Sequence, residues 1–418
     1  MGLEQAFDAP YTLQRLRSHP LGALVDDFCD SLLSQGFSRY TVRRHLANVS
    51  HLNAWLAGKG WRWSGTLSRK EVEGFLEAYP DRCRNRGPVE DHLHRVGHSI
   101  NRFIEFLSQK ALYDALAPAT IYQPLLEGYL GWMRDHQHVG EGTLEVRRHG
   151  VVQFLEWLGT KATTQGLSEL TVEHVETFFI DHVRGMSPAT RRSMQTALRT
   201  FLRFCCYEGY IRQHLDHAVP TLRTYKLAQT PRGISEPQAQ AILQSVDRGT
   251  AVGRRDYAIL TLLHTYGVRG AQVRALQLSD IGWAEDQILF RATKNGKDSL
   301  LPLTAQVGKS LLDYLQNARP CCWFPEVFVT SRAPYHPLRN LGEIVRRSMC
   351  AAGVDAPCKG SHAFRHAFAT RMVAEGHPFK AVADVLGHRC LSTTFIYTKV
   401  DFNALKQVAL EWPKEVDE

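Results

Sequence analysis

Ser361-His362-Ala363-Phe364-Arg365-His366-Ala367-Phe368-Ala369-Thr370 is followed by Leu386-Gly387-His388 and then by a lone tyrosine, Tyr397. The pattern predicts a helix from His362 to Val373, on which His362 and Arg365 stand three residues apart and share a face. A guanidinium fork fits two phosphate oxygens better than an ammonium does. Histidine and arginine beside a phenol therefore read as a site that breaks phosphodiesters. Taken alone, an H-x-x-R pair also describes an ordinary helix surface, so its surroundings decide.

Working outward, Phe379 to Leu386 reads as a second helix stopped by Gly387, and Ser392 can cap a short helix carrying Tyr397. Upstream, Ser235-Glu236-Pro237 opens a helix with an N-cap and an acidic first turn. Tyr257 to Tyr266 (YAILTLLHTY) is apolar enough to be a buried helix, ended by Gly267. Gln287 to Phe290 and Ser299 to Leu303 flank Lys294-Asn295-Gly296-Lys297, and Asn-Gly between two apolar runs predicts a β-hairpin. Lys294 then sits at a turn tip.

From about Gly233 to Val400 these motifs, taken in order, resemble the catalytic domain of the tyrosine recombinase, or phage-type integrase, family. Tyr266-Gly267-Val268-Arg269 with Val273, Ala275, Leu276 and Asp280 is similar to the family's first box and places its arginine on Arg269. Lys294, with Leu301-Pro302-Leu303, matches the hairpin lysine. SHAFRHAFAT resembles the second box, putting its histidine and arginine on His362 and Arg365. Val385-Leu386-Gly387-His388 supplies the next histidine, and Tyr397 falls on the nucleophile. One position departs: the acid usual three residues after the first arginine is Gln272 here, which can orient a neighbour but carries no charge.

The resemblance implies a DNA strand-transfer enzyme whose chemistry suits these residue types. A phosphodiester gathers negative charge on its non-bridging oxygens in the transition state, and Arg269 and Arg365 are expected to clamp it. A phenol with a pKa near 10 is only about one part in a thousand ionised at pH 7, so Tyr397 needs a proton acceptor; His362 is the candidate, assisted by Arg365. His388 is expected to hydrogen-bond the phosphate and Lys294 to protonate the departing 5′ oxygen. His366 reads as a support residue. Each position has a plainer reading too: Arg269 as a salt bridge to Asp280, Lys294 as turn solubility, His388 as a helix cap, Tyr397 as a core anchor. The resemblance further implies a 3′-phosphotyrosyl link, no cofactor and no metal, a tetramer on paired double-stranded DNA sites, and a role for companion recombinases in some members. A type IB-like topoisomerase or a DNA-binding relative without catalysis are the alternatives.

The N-terminal half repeats itself at an offset of 102 residues. Thr41 and Trp55-Leu56 answer Thr143 and Trp157-Leu158; Val42, Val49 and Leu52 answer Leu144, Val151 and Phe154, the spacing of one helical face. Leu67, Val72, Phe75 and Leu76 correspond to Leu170, Val175, Phe178 and Phe179, and a third helix follows in each copy. Basic residues sit beside the anchors, Arg43, Arg44 and His45 in the first copy and Arg147, Arg148 and His149 in the second, and of these Arg43, Arg44, Arg147 and Arg148 are candidate DNA-binding residues. The expected architecture is mainly α with a small antiparallel β-sheet: a helical module over 1–117, a second over 118–228, and an α+β catalytic domain over 229–418. Pro118 and the stretch Pro220 to Pro231 are the candidate linkers. An amphipathic tail, Asp401 to Trp412, is a candidate subunit contact.

Composition sets the outer bounds. In 418 residues, 44% hydrophobic and 22% charged, lysine and arginine outnumber acids 50 to 42, which favours an anionic partner such as nucleic acid. Nine cysteines, with Cys205-Cys206 and Cys321-Cys322 adjacent rather than spaced as in a zinc knuckle, argue against a metal cluster and for a reducing cytoplasm. No run of about 18 apolar residues is present, and no membrane span is expected.

Overall fold

The computed structural model describes residues 2–82, 89–115, 120–221, 233–292, 298–387, 394 and 397. Lys294 and its turn, His388, Ser392, Pro118, most of the Pro220–Pro231 stretch and the tail from Asp401 lie outside the described residues. The chain forms two compact units, one of residues 1–63, 83–106 and 226–418, the other of 64–82 and 107–225.

Four helices correspond in order between the two copies, one more than the matching anchors indicate. They are Gly22–Ser34, Arg39–Gly58, Arg69–Arg82 and Val89–Gln109, then Gln123–Gln137, Glu141–Leu158, Val172–Phe178 and Pro188–Tyr207. Ser38 caps Arg39–Gly58 by accepting from the Thr41 amide, and Ser187 caps Pro188–Tyr207 the same way. The predicted anchors point inward: Val42, Val49 and Leu52 in one copy and Leu144, Val151 and Phe154 in the other are buried. In the second copy Phe154 meets Phe178 edge-on at 5.0 Å and Trp157 packs on Phe178 at 5.6 Å, a core of aromatic rings that each contribute about 2–3 kcal/mol by burial. The correspondence fails at Leu76, which is exposed, whereas Phe179 is buried. The second copy widens into a π-helical turn at Phe179–Val183, with Phe179 and Val183 buried at its two ends.

The C-terminal region is built on Ala251–Tyr266, whose Ala258, Ile259, Leu260, Leu262 and Leu263 are all buried, so that this stretch of the helix is enclosed on every side. Ser235 caps the preceding helix, Glu236–Gln244, through the Gln238 amide. The predicted hairpin forms: Gln287–Phe290 pairs antiparallel with Ser299–Pro302, Leu289 opposite Leu300. A two-residue strand, Ile281–Gly282, joins it to make a three-stranded antiparallel sheet. The Tyr266 hydroxyl ties helix to sheet by donating to the Pro302 carbonyl at 2.7 Å. Helices Ala305–Asn317, Gly342–Ala351, Ser361–Ala374 and Phe379–Leu386 complete the region, and Ser361–Ala374 packs against Ala251–Tyr266.

Candidate active site

Two helices end on glycines in the left-handed conformation, Gly267 at φ +60° and Gly387 at φ +61°, which L side chains adopt only with strain. Such ends leave carbonyls without intrahelical partners, and here arginines take them. Arg365, only 5% exposed, donates from Nη1 to the Gly267 carbonyl at 3.0 Å and from Nη2 to the Leu386 carbonyl at 2.6 Å. Arg269 donates from Nη2 to the Gly387 carbonyl at 3.1 Å. Both guanidinium groups therefore sit at the negative ends of helices. Neither forms an ion pair among the described residues. Burial, and then the neighbouring Arg269, push the Arg365 pKa down to about 10, against an opposite pull from Tyr397; the group stays charged at neutral pH.

Gln272 is buried and accepts the Arg269 backbone amide through Oε1 at 3.1 Å, fixing the start of the helix Gly270–Ala275. The salt bridge from Arg269 to Asp280 does not form. Asp280 is taken by Arg291, whose Nη2 lies 2.7 Å from Oδ1 and whose Nε lies 2.9 Å from the same oxygen. That pair braces the base of the hairpin and leaves Arg269 without a carboxylate among the described residues.

Tyr397 is 2% exposed, packed with Phe368, Ala369, Val373, Val382 and Leu386. Its amide donates to the Thr394 carbonyl at 3.0 Å. Burial pushes its pKa up to about 12, with Arg365 pulling the other way. Its hydroxyl lies 2.8 Å from Nδ1 of His366, not a partner that the motif assigns. His366 and His362 are one helical turn apart on Ser361–Ala374, so spacing alone does not choose between them. His362 reaches solvent; loss of hydration on its inner side, then Arg365 and Arg269, lower its pKa. It belongs with the arginines, and His366 with the phenol. His366 is also held below its usual pKa, by burial and then by His362 and Arg365, which favours its neutral imidazole.

The candidate DNA-binding residues are mostly engaged within the chain. Arg43 donates to the Ala6 carbonyl and pairs with Asp8 at 3.1 Å, beside Arg39 on the same carboxylate. Arg148 pairs with Glu145 at 3.6 Å, and Arg147 donates to the Ser193 carbonyl at 3.4 Å. Arg44 is exposed and has no ion pair among the described residues. His45 is a core residue, not a surface cation: it is 1% exposed, bonded to Ser99 Oγ at 3.0 Å, and burial pushes its pKa down to about 4. Among the described residues no group of three or more His, Cys, Asp and Glu side chains is placed to hold a metal ion, and no helix is long and apolar enough to cross a membrane.

Comparison with known proteins extends this picture to the whole chain. Residues 232–404 match the phage integrase family. A putative integrase/recombinase, y4rA, of Sinorhizobium fredii is 32% identical over 98% of this chain and 98% of its own. The tyrosine recombinase XerD of Ralstonia nicotianae is 29% identical over 64% of this chain and 86% of its own. In fold, the chain is similar to the XerH site-specific recombinase, solved on palindromic difH substrate as a post-cleavage complex, with a TM-score of 0.54 at 18% identity over 74% of this chain and 93% of that one. The chain belongs to the phage integrase family of tyrosine recombinases, the enzymes of DNA breaking and rejoining.

Proposed function

We propose that this chain is an active site-specific recombinase that cuts DNA by attack of Tyr397 and rejoins it through a 3′-phosphotyrosyl link, serving integration, excision or transposition of a mobile element. The observation that carries the reading is the charge state of the arginine pair. Arg269 and Arg365 are oriented by three helix-end carbonyls, which are partial dipoles, and no carboxylate among the described residues cancels them. Two fixed positive charges beside a phenol supply what a pentavalent phosphate needs, without reorganisation at the moment of reaction. Lys294 is the acid for the 5′ oxygen and His388 a phosphate ligand; His362 lies on the arginine side of the site. The covalent link keeps the energy of the broken bond, so rejoining needs no nucleotide, and the cationic side chains take the place a metal would fill. The reading takes in double-stranded DNA as the partner, four copies on paired sites, companion recombinases, and action in the cytoplasm at the nucleoid. A topoisomerase reading has no observation in its favour.

Tyr397→Phe removes only the attacking oxygen. On a nicked suicide duplex carrying the bound site, the wild type should give a covalent band on a denaturing gel, undiminished by excess chelator, and the variant should bind but give none. A covalent band from the variant, or a band lost to chelator and restored by a divalent ion, overturns the reading.

A further inference from the structure

We infer that His366, rather than the H-x-x-R histidine His362, takes the hydroxyl proton of Tyr397 as that oxygen attacks the scissile phosphate. This rests on Tyr397 being the nucleophile. The geometry is direct: His366 Nδ1 lies 2.8 Å from the Tyr397 hydroxyl oxygen, within reach for proton transfer, and the two rings lie 5.7 Å apart, centroid to centroid. The base of the side chain is closely packed as well: a Cβ added at Gly233 would lie 3.0 Å from His366 Cβ and 3.2 Å from the Ala367 amide nitrogen, so Gly233 lets the chain entering the C-terminal region approach the His366 backbone closely. Charged and titratable neighbours support the direction of transfer: His362 and Arg365, on the same helix, disfavour a proton already resting on His366, and Arg365 favours the phenolate once formed.

In the step, the Tyr397 Oη–P bond forms as the P–O5′ bond breaks. The phenol proton passes to Nδ1 of His366, and the 5′ oxygen takes a proton from the acid assigned to Lys294. On rejoining, the 5′ hydroxyl attacks phosphorus and gives its proton back to the group assigned to Lys294, the Oη–P bond breaks, and His366 returns its proton to the phenol. Donor and acceptor roles are thus divided between the hairpin and the helix Ser361–Ala374.

The probe is the duplex that the wild-type chain traps covalently from randomised DNA, made with oxygen and with sulfur at the 5′ bridging position. A thiolate leaves without a proton, so the sulfur substrate bypasses the acid and leaves the acceptor's task in place. His366→Ala and His366→Asn should each slow single-turnover cleavage by about 10²-fold or more on both substrates, with DNA binding and thermal melting near wild type. Asn keeps a hydrogen-bonding group near the Nδ1 position but cannot take the proton, so it separates proton transfer from positioning. The wild-type rate should fall as acid protonates His366, in a limb below pH 6.5 that is absent from His366→Asn. A wild-type rate in His366→Asn, or recovery of His366→Ala on the sulfur substrate, would overturn the inference. If the wild type itself traps no DNA, the assignment of Tyr397 fails instead.

Discussion

The clamp arginines Arg269 and Arg365 and the repeat arginines Arg43 and Arg148 differ in whether a carboxylate pairs with them among the described residues. Arg269 and Arg365 lean on helix-end carbonyls, whereas Arg43 and Arg148 lean on carboxylates, Asp8 and Glu145. A carbonyl dipole fixes where a guanidinium points and leaves its full charge in place; a carboxylate fixes it and cancels the charge for a distant anion. Orientation without neutralisation is what a phosphate clamp requires. The helical repeat reads as a cationic surface in sequence and is largely self-satisfied in the fold, so its share of DNA affinity and of the salt dependence is expected to be smaller.

The largest effect that sharpens this contrast is in the clamp. Arg269→Ala and Arg365→Ala should each lower the single-turnover cleavage rate by about 10²-fold or more, roughly 2.7 kcal/mol of transition-state stabilisation, with Arg365→Ala also costing fold stability because it leaves the Gly267 and Leu386 carbonyls buried without their donor. Near-wild-type cleavage by either variant would remove that arginine from the clamp. A smaller effect is expected at the repeat. If Arg44 neutralises a phosphate, Arg44→Ala should reduce the slope of log affinity against log salt by about 0.9, while Arg43→Ala should change it less because Asp8 already holds that charge. Asp8→Ala, which releases Arg39 and Arg43 together, should steepen the slope. Equal slopes across these three variants would break the distinction between satisfied and free arginines at this surface.

Much of the site was legible in the chain because its parts are punctuated locally. Gly267 and Gly387 mark helix ends whatever the rest of the fold does, Asn295-Gly296 marks a hairpin, and Arg365 stands one turn from His362 by helical period alone. What was not legible depends on distant partners. Asp8 reaches Arg43 across 35 residues, and Asp280 goes to Arg291 rather than to Arg269 by the register of the sheet. The choice of His366 over His362 as neighbour of Tyr397 follows from where the chain returns 31 residues later, which a helical repeat cannot encode. His45 was readable in principle, since it adjoins Val42, Leu46 and Val49 on the buried stripe, but the basic run around it pointed to the surface. The helices Gly22–Ser34 and Gln123–Gln137 hold the same place in the helix order of the two copies with little shared sequence, because a buried helical face asks for apolar volume at a period and not for particular residues.

The most direct measurement is the identity of the residue joined to DNA. The wild-type chain is incubated with the nicked duplex, the covalent complex is digested with protease and nuclease, and the nucleotide-bearing peptide is sequenced by mass spectrometry. The expected peptide carries a 3′-phosphonucleotide on Tyr397, with yield reduced in proportion to the cleavage rates of the Arg269 and Arg365 variants. An adduct on any other residue, or on Tyr397 at full rate without both arginines, would contradict the assignment of a phenol nucleophile served by two uncancelled guanidinium charges.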